Sequence, residues 1–303
     1  MKLSITAFLI LLMVCCEQKA QQSKTPASYT STSELKEPIV FGQGRVTTAN
    51  GISFSKGGDT LYTSESLEKQ FENGRLYAGI FESRFEAGKW TTPKRVEFSI
   101  NIDAYHPVLS TDNDVLFFNS RSHLDSANKS IPHNIWATQK TAKGWGTPKM
   151  VEGVNSLGYD SYPSVARNNN LYFNSDREGG KGGMDFYVSY FVEGKYQKPI
   201  NLEKLNSSDV ENDLVVDPDE RFIIFNRYII DTKEIDLFIS FKKDDGWTTP
   251  RKLENLNSTD AWELTPSLSP DGKYFFYELE QKIMQVDLSS LIYAYELAGV
   301  GKR

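Results

Sequence analysis

The feature that most constrains this chain is an internal repeat. Residues 105–120 read YHPVLSTDNDVLFFNS, residues 162–175 read YPSVARNNNLYFNS, and residues 265–277 read TPSLSPDGKYFFY. Weaker copies are ISFSKGGDTLYTS at 52–64 and LVVDPDERFIIFN at 214–226. Each copy joins a short alternating segment to an aromatic-rich one through a turn built from Asn, Asp, Gly or Pro, which is the signature of a β-hairpin. A third strand follows at Leu76-Tyr77, Ile135-Trp136, Phe186-Tyr187, Leu237-Phe238 and Ile283-Met284. A fourth recurs as W-x-x-P or Y-x-x-P, at Trp90 to Pro93, Trp145 to Pro148, Tyr196 to Pro199 and Trp247 to Pro250. Proline has no N–H to donate, so this strand belongs at a sheet edge.

The aligned first-strand positions Pro107, Pro163, Leu214 and Pro266 lie 56, 51 and 52 residues apart. Four strands in a unit of that length predict an all-β fold, a single β-propeller of five four-stranded blades, with six as the alternative count. The fifth unit stops after Met284 without its own W-x-x-P strand, whereas Glu37 to Phe41 forms an orphan strand near the start. The prediction is closure, in which the N-terminal strand completes the last blade and removes an open edge.

Two loops carry a resemblance. Ser269-Pro270-Asp271-Gly272-Lys273-Tyr274 has the S-P-D-G-K turn, and Ser175 to Tyr187 has the S-D-R-x-G-G-x-G-G-x-D-x-Y loop, of TolB-type WD-like propeller repeats. In both, the chain resembles Bacteroidetes-type envelope lipoproteins of that repeat family across about residues 34–303. The resemblance implies a propeller but no single activity, because one fold hosts scaffolds, binding modules and enzyme domains.

The N-terminus reads as an export signal. An apolar run from Ile5 to Val14 is too short to span a bilayer and is followed by Cys15 and Cys16. The ending resembles a lipobox, with Cys16 as the lipidated residue because the small Cys15 precedes it; Cys15 itself follows the β-branched Val14. The expected organisation is a lipoprotein signal peptide over 1–16, a polar flexible tether over 17–33 and a propeller over 34–303. Both cysteines sit at the signal junction, so the exported domain cannot depend on a disulfide. The expected location is the outer membrane through a lipid anchor, facing the periplasm or the surface. Residues 34–303 hold 31 basic against 39 acidic side chains, which disfavours nucleic acid as a partner.

Strand direction sorts the loops. Connections from strand four to strand one and from strand two to strand three emerge on one face, and the hairpin turns on the other. The first face receives the long segments 64–74, 120–133 and 175–184, and long irregular loops are where function concentrates. It also receives four acids that open the innermost strands, Asp103, Asp160, Glu211 and Glu263, interleaved with Tyr105, His106, Tyr162 and Trp262. These eight residues are the candidate ligand-binding set, suited to a sugar, an amine or a cation. The acids could equally accept backbone hydrogen bonds while the aromatics pack between blades.

Arg121, Arg177 and Arg227 recur after the second strand, and Asp185 and Asp236 open the third. An Arg–Asp brace is expected there. His106, His123 and His133 all fall in the second unit but match no ligand spacing, so neither a metal nor a cofactor is expected. The glycines at 179–183 lack the Lys-Ser/Thr ending of a phosphate loop, and no nucleophile elbow is present. The expected function is therefore a monomeric, non-catalytic, membrane-tethered propeller that binds an envelope protein or glycan. The alternative is a glycoside hydrolase or lyase using the carboxylates at the channel mouth.

Overall fold

The computed structural model describes residues 28–44, 51–70, 76–121, 133–258 and 260–300. The signal peptide, Cys15, Cys16 and His123 lie outside the described residues. Among the described residues the repeat folds as five antiparallel blade sheets, one per unit, in a five-bladed propeller, with a separate two-stranded ribbon, Phe191–Val192 with Lys195–Tyr196, in the third unit. In the second blade the strands Ala104–Leu109, Val115–Ser120 and Asn134–Thr141 follow one another outward from the centre. The third blade repeats them as Asp160–Val165, Leu171–Ser175 and Asp185–Ser189, and the fourth as Val210–Val216, Phe222–Ile229 and Glu234–Lys243.

The second strand of each blade explains the aromatic runs. It is buried on both sides, so successive residues face opposite neighbouring blades and the whole run must be apolar. Phe118 packs with Tyr62 and Ile80 of the first blade, whereas Phe117 packs with Leu171 and Phe173 of the third. Likewise Tyr172 meets Ile223 and Phe225, Ile224 meets Phe275 and Tyr277, and Phe276 meets Phe54 and Leu61. The core is thus five wedges, each clamped between adjacent blades.

The expected fourth strand is broken in two. Gly144–Trp145 and Lys149–Met150 each pair with the long third strand, and the intervening Pro148 makes no ladder contact. Trp90 and Arg95 flank Pro93 in the same way, as do Trp247 and Arg251 flanking Pro250. The missing proline N–H dictates the break.

Closure occurs as expected. Ile39 and Val40 pair antiparallel with Gln285 and Met284, completing a fifth blade otherwise made of Glu263–Leu268, Tyr274–Leu279 and Lys282–Asp287. Packed structure begins earlier than the composition-based boundary at residue 34. Tyr29 is buried against Phe54 and Tyr274, and its carbonyl accepts Gln285 Nε2 at 2.7 Å. Its aromatic ring adds apolar area at the seam that the polar residues around it could not. A helix absent from the repeat reading, Leu288–Val300, buries Leu288 and Leu291 beside the fourth and fifth blades. No helix among the described residues is long and apolar enough to cross a membrane.

Candidate functional site

The four acids that open the innermost strands are fully buried. Three of them hold an arginine that lies in or just after the second strand of their own blade. Arg121 Nε donates to Asp103 Oδ2 at 2.8 Å, Arg177 Nη2 to Asp160 Oδ1, and Arg227 Nε to Glu211 Oε1 at 2.7 Å. Each guanidinium also lies over aromatic rings: Arg121 is 5.2 Å from the Tyr105 centroid, Arg177 4.9 Å from Tyr187 and Arg227 4.7 Å from Phe238. The guanidinium also reaches a loop carbonyl: Arg177 Nη2 donates to Val154 as well as to Asp160, and Arg227 Nη2 donates to Leu205. The arginine partners are therefore these acids rather than Asp185 and Asp236. Asp185 instead accepts the backbone N–H groups of Lys181 and Gly182, and Asp236 lies 2.8 Å from Lys252 Nζ.

A motif that escaped the sequence reading completes the brace. V-E-G-V-N-S at 151–156, L-E-K-L-N-S at 202–207 and L-E-N-L-N-S at 253–258 stand just before these acids. The asparagine side chain acts as a surrogate peptide on the third strand. Asn155, Asn206 and Asn257 accept the N–H of Ile135, Phe186 and Leu237 and donate back to the carbonyl of the same residue. The following serine donates to the acid: Ser156 Oγ to Asp160 at 2.7 Å, Ser207 Oγ to Glu211 at 2.7 Å, and Ser258 N to Glu263 at 2.8 Å.

Glu263 departs from its siblings. Opposite Glu211 in the strand register stands Arg227; opposite Glu263 stands Leu279. Glu263 Oε2, like Glu211 Oε2, is buried without a hydrogen-bond partner, but Glu263 has no arginine on its other oxygen, and burial pushes its carboxyl up to about 7. Burial also raises Glu211, against which Ser207 and Arg227 pull down.

The first strands share a bulge beyond the acids. The register slips between Tyr105 and Val108, Ser161 and Ser164, Glu211 and Leu214, and Leu264 and Ser267. His106, Tyr162 and Thr265, each before a proline, take φ of 53°, 50° and 48° there, and Gly51 takes the same hand in the first blade. Left-handed backbone is costly for such side chains, so neighbouring blades must hold it. They do: Asn119 Oδ1 accepts Tyr162 N, Asp213 Oδ2 accepts Thr265 N, and Ser64 Oγ accepts His106 N. Burial pushes Asp213 up to about 6 and Glu278 to about 7 and drives the His106 imidazole down to about 3, so His106 is neutral. No group of three or more His, Cys, Asp or Glu side chains arranged for a metal occurs among the described residues.

The second, third and fourth blades each bring their opening acid and an arginine together. Tyr105 is buried, with its hydroxyl on His133 Nδ1, and Tyr162 packs edge-on against His106 at 5.0 Å. Trp262 is 53% exposed, as is Tyr159 at 45%, stacked edge-on against His133, and Leu157 is fully exposed. Those three residues, with Ile100 and Ile230, are exposed apolar side chains of the loop connections among the described residues. The glycine loop at 179–183 packs on the next blade; a Cβ on Gly182 would lie 2.0 Å from the Asp209 carbonyl.

Sequence reasoning also missed a channel cavity of about 130 Å³ that opens among the hairpin turns. It runs from Gly51 and His106 past Val108, Val165 and Val216 to a rim with Lys56 and Ser269. Its walls are the first strands of the repeat, among them Pro163, Val165, Pro266 and Leu268.

No protein-family model matches the chain, and no curated protein matches it in sequence. Solved structures do match in fold. A TolB-type protein of Agrobacterium tumefaciens superposes with a TM-score of 0.52 at 13% identity, over 80% of this chain and 77% of that one. The hydrazine synthase of Kuenenia stuttgartiensis gives 0.51 at 12% identity over 79% of this chain. The tricorn protease gives 0.50 at 11% identity over 80%. This chain spans 37% and 25% of the latter two. The fold is that of a TolB-type propeller, and at these identities the likeness extends to fold alone.

Proposed function

We infer that this chain is a non-catalytic propeller, tethered to the membrane through Cys16, that binds a protein or glycan of the cell envelope with its loop-rich face. The observation that carries this reading is the division of labour on that face. Asp103, Asp160 and Glu211 are committed to guanidinium groups, whereas Trp262, Tyr159 and Leu157 project outward. Exposed aromatics beside buried acids suit recognition of a surface. A glycosidase needs two carboxyl groups facing its substrate, and three of the four candidates are held by arginine.

The test is capture of defined envelope proteins and a glycan array by wild type and by the Trp262→Ala/Tyr159→Ala double variant. Binding that falls at least tenfold with an unchanged melting temperature is expected. Turnover of a polysaccharide, or full retention of binding by the double variant, would overturn the reading. Anchoring has its own check: Cys16→Ser should move the protein from the membrane to the soluble fraction.

A further inference from the structure

The braces of the third and fourth blades share one recipe. A buried acid, a loop carbonyl before the asparagine and the ring of the second-strand aromatic surround a guanidinium supplied by the same blade. The fifth blade retains all three surrounding parts. Glu263 corresponds to Asp160 and Glu211, Leu256 to Val154 and Leu205, and Tyr277 to Phe173 and Phe225. The cation alone is missing, because Leu279 occupies the register position that Arg227 holds one blade earlier.

The nearest cation does not fill the gap. Lys252 Nζ lies 2.8 Å from Asp236 Oδ2. Glu263 Oε1 accepts Ser258 N, but Oε2 is fully buried with no hydrogen-bond partner. A buried carboxyl in that condition gains more from a matching cation than a solvated one does. The sibling guanidinium groups retain 10%, 17% and 14% exposure, so this position in the fold borders solvent. Trp262, half exposed, is the residue immediately before Glu263.

We propose that the fifth blade holds an open guanidinium site, built from Glu263, the Leu256 carbonyl and Tyr277, which takes an arginine side chain from a partner protein. Guanidinium is the favoured cation because the carboxylate and carbonyl demand a planar fork with several donors, which an ammonium lacks. The inference rests on the loop-rich face being the binding surface and narrows the partner to a protein.

The experiment titrates Nα-acetyl-arginine methylamide into the full-length chain by calorimetry, with the citrulline analogue as the uncharged isostere. Saturable binding of the arginine compound alone is expected, weakened at least tenfold by Glu263→Gln. Leu279→Arg should abolish it by filling the site from within the chain, and should melt at or above the wild-type temperature. Absent binding by wild type, or undiminished binding by Leu279→Arg, would overturn the proposal. If arginine binding fails while Trp262→Ala/Tyr159→Ala still loses its partner, this inference alone falls. If arginine binds and that double variant keeps its partner, the docking reading falls instead.

Discussion

The third and fourth blades differ from the fifth in what each must borrow. The former make all their strands from one stretch of chain and neutralise their opening acid with their own arginine. The fifth takes its outer strand from residues 39–40 and leaves Glu263 without a guanidinium. A repeat therefore specifies geometry more strictly than charge: the acid, serine and asparagine persist in the fifth blade after the arginine is gone. That difference can be broken experimentally at several strengths.

The largest effect should come from the borrowed segment. Removing residues 1–41 strips Tyr29, Leu35 and Phe41 from the seam and the outer strand from the fifth blade. Loss of cooperative unfolding by circular dichroism is expected; a sharp native-like melt would show that the blades close without it. Next is the brace itself. Arg227→Ala leaves Glu211 buried without its cation and should cost about 3 kcal/mol, roughly 10 °C in a domain of this size. A loss below about 0.5 kcal/mol, the scale of a surface pair, would contradict a buried brace.

The pH dependence sharpens the contrast from the other side. Glu263 and Glu278 are raised to about 7 in the fold. The native state then binds more protons than the unfolded chain between about pH 4.5 and 7, so their contribution is full below that window and lost as pH rises through it. Melting should fall by roughly 5 °C from pH 5 to pH 8, and the Glu263→Gln/Glu278→Gln double variant should flatten that slope. A wild-type melting temperature that rises over the same range would contradict the burial of these groups. The smallest effect belongs to Arg167→Ala. Its pair with Asp219 links the third and fourth blades across exposed turns, so the denaturant midpoint should not move measurably.

Strand order and closure were legible in the sequence because burial on both faces writes continuous aromatic runs such as Phe222 to Phe225, and because one outer strand was visibly orphaned at Ile39. The site was legible only in part. Asp103, Asp160, Glu211 and Glu263 stand out by position, but their arginines follow the acids by 18, 17, 16 and no residues respectively, a drift that hides the pairing. The drift is physical: a long side chain reaches one acid from several backbone positions. Asn155, Asn206 and Asn257 were readable at a spacing of 51, yet asparagine before a strand looks like turn chemistry until its bonds to the third strand are seen. The C-terminal helix belongs to no repeat, so periodicity could not announce it, and although the first strands of the repeat line the channel, their pattern does not state the width left between them.

The claim that braced and unbraced acids differ in kind is tested most directly by one substitution made twice. Glu211→Gln and Glu263→Gln place the same neutral isostere at equivalent positions of adjacent blades, and their melting temperatures at pH 8 compare like with like. The account predicts that Glu211→Gln falls by roughly 10 °C because Arg227 loses its counter-charge, while Glu263→Gln stays at or above wild type because no cation is stranded. Equal losses at the two positions would contradict it.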